Sequence, residues 1–152
     1  HFHGVDVEPP DNPRSWDHCL MVVETGGLRI VHWGDNRHNP PDDIWKALGH
    51  IDIALLPVDA SQHVMGHIHV QAIMDRLKPR VVVPHHYYIW DVVQRQSTLQ
   101  TAEAWVGERE VVQRIAGPKK IYRIAELDKL DGAVHYFGDN VNFDKAAWMD
   151  GS

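Results

Sequence analysis

The chain has 152 residues, 43% of them hydrophobic, a single cysteine and a formal net charge of −6. This size and composition suit one globular domain, while the negative balance and scattered Lys and Arg exclude a nucleic-acid partner, which needs clustered cations to meet phosphate. No apolar run approaches the roughly 18 residues of a membrane span, no leader-peptide pattern is present, and the lone Cys19 excludes an internal disulfide; a soluble, cytoplasmic protein is expected.

Residues 2–14 are rich in Pro and Asp and read as a loop. Two apolar, β-branched runs, Cys19–Thr25 and Leu28–Trp33, flank Gly26-Gly27, the signature of a two-residue hairpin. Cys19 itself reads as a small buried hydrophobe. Asn39-Pro40-Pro41-Asp42-Asp43 opens a helix with a capping side chain, prolines near the first turn and acids at the positive end of the dipole. Ile44, Trp45 and Leu48 lie on one side of that helix, and Gly49 ends it. Ile51–Leu56 is a continuous apolar run, the pattern of a strand buried on both faces. A second helix, about Gly66 to Lys78, carries Val70, Ile73, Met74 and Leu77 at helical spacing; Pro79 stops it and Arg80–Val83 is another buried strand. The β-α-β-α-β order from Leu28 to Val83 implies a parallel sheet with crossover helices. Beyond Pro84, Ser97–Val106 is predicted helical, Lys120–Ile124 and Ala133–Phe137 are predicted strands, and the tail from Asn140 has no pattern.

The abnormal feature is histidine, present 12 times. In open α/β sheets, ligands bind beyond the carboxyl ends of the strands. The first crossover strand runs into His32-Trp33-Gly34-Asp35-Asn36, the second into Leu56-Pro57-Val58-Asp59 and on to His63, and the third into Pro84-His85-His86-Tyr87. His1-Phe2-His3 precedes the hairpin. Imidazole and carboxylate together suit Zn²⁺ or another first-row metal. Other histidines have plainer readings. His32, inside a strand, reads as packed and hydrogen-bonded, and His50 sits near a helix C-terminus, where a cation is favoured. His67 and His69, two apart on a helix, cannot share a face, so at least one is expected in solvent. His18 and His135 have no company in the sequence.

Four segments carry a wider resemblance: Gly27-Leu28-Arg29-Ile30-Val31-His32-Trp33-Gly34-Asp35, Ile51-Asp52-Ile53-Ala54-Leu55-Leu56-Pro57, His63-Val64-Met65-Gly66, and Leu77-Lys78-Pro79-Arg80-Val81-Val82-Val83-Pro84-His85-His86-Tyr87. In this order and spacing, from Asp17 to about Trp90, the chain resembles the metallo-β-lactamase superfamily, in particular its small metal-dependent hydrolases similar to ascorbate-6-phosphate lactonases. The resemblance implies an α/β fold: half of a four-layer αββα sandwich, with residues 1–152 forming one partial domain, the C-terminal half. It implies that Asp35 bridges two metal ions and is catalytic, and that His86, not His85, is the last metal-binding histidine. A further ligand maps to His3 or His1, with His3 preferred because Gly4 follows and the loop begins there. His32 matches a histidine that is not a ligand, while His63 and Tyr87 are candidates for binding substrate. The implied cofactor is zinc, two ions, with Mn or Fe as alternatives. The implied reaction is hydrolysis of an ester, lactone or phosphodiester of a small molecule by a metal-activated water.

The defining H-x-H-x-D-H motif of that family is absent and would lie upstream of residue 1, so the fragment alone is expected to be inactive. The alternative is a non-catalytic metal-binding or interaction module of the same fold. An inner face of Leu20, Val22, Ile30, Ile53, Leu55, Val81 and Val83 is expected to need cover, from a homo-oligomer or from the N-terminal half of the same protein. A cupin reading of His1-Phe2-His3 with Glu8 fails because the second cupin motif is missing and crossover helices do not suit a jelly roll.

Overall fold

A computed structural model describes residues 2–4, 18–61, 64–89 and 96–138, with residues 2–4 and 18 described by backbone. Its strands are β1 (Phe2–Gly4), β2 (His18–Thr25), β3 (Leu28–His32), β4 (Ile53–Pro57), β5 (Val81–His85), β6 (Val112–Arg114) and β7 (Ala133–Tyr136). Its helices are α1 (Asp42–Leu48), α2 (His67–Leu77), α3 (Glu103–Val106) and α4 (Ile124–Leu127). The sheet order is β1-β2-β3-β4-β5-β7-β6. β1, β2 and β3 pair antiparallel, and every pairing from β3 onward is parallel. The β2–β3 turn has φ of 58° at Gly26 and 77° at Gly27, a double left-handed turn that glycine enters without strain. The expected parallel core with crossover helices is present: α1 links β3 to β4 and α2 links β4 to β5.

Strand register divides the side chains between two faces. Val22 pairs with Val31, Val31 with Ala54, Ala54 with Val82 and Val82 with Val134. That row, with Leu20, Leu56 and Tyr136, packs under Val70 and Ile73 of α2, Leu48 of α1 and Trp105 of α3. Fully burying each such side chain is worth about 1.5–3 kcal/mol, so this face carries most of the core. Arg76 of α2 holds α1 in place by donating to Asp42 at 2.7 Å and lying 4.3 Å from the centre of the Trp45 ring.

Among the described residues, the opposite face is covered only in part. Its lower row pairs Val23 with Ile30, Ile53, Val81 and Ala133 in turn, and Tyr122, Leu127 and Leu130 cover its middle. Its upper row, Met21, His32, Leu55 and Val83, is partly open, with Met21 49% exposed, as is the β2 end of the lower row, where Val23 is 43% exposed. Leu20 and Val22 therefore belong to the helix-covered face rather than to the inner face assigned from sequence. Side chains alternate along a strand, and the antiparallel register sets Met21 and Val23, not Leu20 and Val22, beside His32 and Ile30. Cys19 follows the same alternation and is exposed, not buried.

Other elements also differ from expectation. Phe2–Gly4, read as loop, pairs with β2. α1 starts after Pro41 with no side-chain cap. The predicted helix Ser97–Val106 shrinks to α3, because Gln100 is drawn into backbone bonds with Tyr88 and Asp59 across the strand ends. Lys120–Ile124 is not a strand: Ile124 opens α4, and the edge strand beside β7 is Val112–Arg114.

Candidate metal centre

The parallel strands β3, β4 and β5 end side by side, at His32, Pro57 and His85. Beyond β3, Gly34 turns the chain at φ 66°, and a Cβ there would stand 3.2 Å from Asn36 Nδ2; the position favours glycine. The Gly34 N–H donates to His32 Nδ1 at 3.0 Å. Buried Asn36 donates from Nδ2 to the Trp33 carbonyl at 2.6 Å and to the Cys19 carbonyl at 3.3 Å. These bonds fix the turn against β2 and leave Asp35 exposed at its tip.

Beyond β5, His86 is exposed with φ 53°, a left-handed conformation uncommon for a residue with a side chain. The chain on either side of it is held: Val58 N–H donates to the His85 carbonyl at 3.0 Å, and Tyr87 Oη–H to the Gly138 carbonyl at 2.6 Å. The His85 ring lies 4.5 Å from that of His32 and 6.4 Å, edge-on, from that of His86. Burial, then the neighbouring His32 and His86, push the His85 imidazole down to about 4, while the Asp35 carboxylate acts in the opposite sense. His85 is thus neutral at neutral pH, and Asp35 is within its electrostatic reach. His85 Nε2 is buried without a partner among the described residues.

His3 lies opposite Cys19 in the β1–β2 ladder. Asn36 bonds the Cys19 carbonyl, so the backbone places His3 at the edge that carries the Asp35 turn. His1 and His63 lie outside the described residues.

Behind the exposed pair lies a layer of buried and half-buried polar groups. Asp59 is fully buried: Ser61 Oγ–H donates to its Oδ2, and its Oδ1 has no partner among the described residues. It is therefore not a solvent-facing group delivered by a strand end. Ala60 beside it has φ 53°. His38, after the Asp35 turn, stacks on His69 of α2 with 3.7 Å between centroids and 4° between planes. Burial first, then His69 and Arg37, hold the His38 imidazole below its ordinary value. His67 and His69 are both half-buried, against the expectation of one in solvent, and His67 Nε2 is a further orphaned atom.

Asp35 and His86 offer one carboxylate and one imidazole, a donor pair that suits a first-row metal. Among the described residues, no group of three or more His, Cys, Asp or Glu could hold a metal ion. The described residues thus fit part of a coordination sphere.

Comparison with known proteins agrees with this architecture. A family profile described as "Beta-lactamase superfamily domain" matches residues 4–86. A UPF0173 metal-dependent hydrolase of Thermococcus onnurineus is 38% identical over 73 residues, 47% of this chain and 32% of the relative. One from Pelotomaculum thermopropionicum is 26% identical over 96 residues, 62% of this chain and 42% of the relative. The chain spans roughly a third to two-fifths of these relatives. A solved structure from Thermotoga maritima, assigned to the metallo-β-lactamase superfamily, has TM-score 0.64 at 20% identity, covering 77% of this chain and 57% of that one. A profile matching more than half of the chain, together with a shared α/β mixed-sheet fold, shows that the chain belongs to the beta-lactamase superfamily.

Proposed function

We propose that this chain is the metal-ligating C-terminal half of a zinc-dependent hydrolase, with Asp35 and His86 as metal ligands and His3 as a further one. The observation that carries this reading is the exposure of Asp35 and His86 at the ends of β3 and β5, on the two sides of β4. The relatives' names, metal-dependent hydrolases, and the Thermotoga structure's description as a candidate Zn-dependent hydrolase support it. A metal held there would acidify a water and polarise the oxygen of a scissile ester, lactone or phosphodiester. The chain's own residues orient the donors: His32 and Asn36 fix the Asp35 turn, and the bonds flanking His86 fix its backbone. Neutral His85 packs behind them.

The remaining donors come, in this reading, from an N-terminal half that also covers Met21, Val23, Leu55 and Val83. A second copy of the chain is the other way to cover that face. Light scattering on the isolated chain tests this: a stable monomer at micromolar concentration, free of any second polypeptide, would contradict it.

A non-catalytic module is the second reading, favoured by the lack of a three-donor group among the described residues. Hydrolysis assays on the full-length protein separate the two. The hydrolase reading expects chelator-sensitive turnover of a phosphodiester or a lactone, restored by Zn²⁺ or Mn²⁺; no metal-dependent turnover across such a panel would leave the module.

A further inference from the structure

The partly covered face holds a second feature, away from the metal edge. A cavity of about 230 Å³ lies between β6, β7 and the segment that leads into and out of α4. Leu127, Leu130 and Ala133 give it an apolar floor. That volume falls below the roughly 300–1,000 Å³ of drug-sized sites, so the space suits a molecule of about benzoate size.

The polar groups of the cavity are few and connected. His135 is 3% exposed and stacks on Tyr122 with 5.5 Å between centroids and 8° between planes. His135 Nδ1 is 3.2 Å from the Tyr122 hydroxyl. Burial lifts the Tyr122 phenol to about 12, so it keeps its proton. Burial first, then the charge of Lys120, lower His135, so that ring stays neutral. In the tautomer that accepts the phenol proton at Nδ1, the neutral imidazole carries its own proton on Nε2 and can offer it to a ligand. Lys120 Nζ donates to Gln113 Oε1 at 3.1 Å and has no ion-pair partner among the described residues. Glu126, the carboxylate of the lining, accepts from Arg123 at 3.2 Å. The uncompensated charge facing this cavity is therefore positive, above an apolar floor.

We propose that this cavity binds a small monocarboxylate with an aromatic or branched apolar body, its carboxylate on Lys120 and the Nε2–H of His135, its body against Leu127, Leu130 and Ala133. The inference does not depend on the metal centre, since none of its residues lies at the Asp35–His86 edge.

Saturation-transfer NMR on the full-length protein tests it, with benzoate as probe and benzylamine as the charge-reversed control. The expected result is saturable benzoate binding, weakened roughly tenfold or more by Lys120→Met through loss of a charge-assisted contact, and lost in Ala133→Leu, which fills the floor. Benzylamine should give no saturable signal. Circular dichroism and melting temperature are followed in parallel; Lys120 is half-buried and its amine donates to Gln113, so an unchanged melting temperature establishes that Lys120→Met is folded, and that variant decides the matter even where Ala133→Leu does not fold. Absence of saturable benzoate binding, undiminished binding in Lys120→Met, or benzylamine binding as tightly as benzoate would each overturn the proposal.

Discussion

The two ends of the parallel strands are built on opposite principles. At the amino end, Asp52 is buried and fully engaged. Its carboxylate accepts from the Arg29 N–H at 2.7 Å, lies 3.0 Å from His50 Nε2, and pairs with Arg80. Arg80 reaches on to Asp128 at 2.8 Å, and Arg29 bonds the Leu48 and Ala47 carbonyls at the end of α1. At the carboxyl end, three buried polar atoms (Asp59 Oδ1, His67 Nε2 and His85 Nε2) have no partner among the described residues. Two residues other than glycine, Ala60 and His86, hold positive φ there. Buried polar groups are ordinarily satisfied, and strain collects where structure serves function. One end of the strands secures the fold, and the other holds unsatisfied and strained groups in place.

Substitutions at the two ends should therefore have different readouts. The largest effect is expected from Asp35→Asn in the full-length protein: turnover falls by about a thousandfold as the ligand charge is lost, with melting temperature in the absence of metal nearly unchanged. A large loss of metal-free stability would instead assign Asp35 to the fold. Asp52→Ala should do the reverse, costing about 3 kcal/mol in denaturant unfolding, since it removes the acceptor of the Arg29 N–H and of His50 and one of the two carboxylates on Arg80, while zinc affinity holds. The same carboxylate sets an acid limit. Burial pushes its pKa up, but the Arg29 N–H, His50 and Arg80 outweigh burial and the net shift is downward. Its stabilising contribution is thus full above the unfolded value of about 3.9 and fades as pH falls through the lower folded value. Unfolding followed between neutral pH and pH 3 should show a shallower acid decline in Asp52→Asn; an unchanged slope would remove Asp52 from the account.

The sequence showed how the chemistry is delivered but not what surrounds it. The strand-end positions of Asp35 and His86 were legible because each follows an apolar strand within a few residues, and β-α-β order sends such strands out at one edge; their reading as metal ligands came from the resemblance to the family. The buried layer was not. His38 and His69 stack across distant segments, and Asp59 is withdrawn from solvent by a local bond to Ser61. His135 seemed isolated, yet its partner Tyr122 belongs to a segment that looked like a strand and instead leads into α4. β6 is not legible in the sequence because three residues at a sheet edge carry too little periodicity to separate from a loop. The face assignment of Leu20 and Val22 failed because alternation alone leaves the choice of face open; hairpin register decides it.

Two smaller effects sharpen the comparison further. Zinc should raise the melting temperature of the full-length protein; His86→Ala should remove most of that gain and His85→Ala little, and equal losses would mean that the ligand has been assigned to the wrong histidine. Ala60→Gly should stabilise the protein by up to about 1 kcal/mol by relieving a left-handed alanine, measured by denaturant unfolding. No gain would show that the conformation carries no strain.

Anomalous diffraction at the zinc edge, from crystals of the full-length protein grown with zinc, tests the central claim most directly. The account predicts a metal peak at about 2.0–2.2 Å from both an Asp35 carboxylate oxygen and a His86 ring nitrogen. A peak bound to His85 without His86, or zinc bound elsewhere with Asp35 uncoordinated, would contradict it.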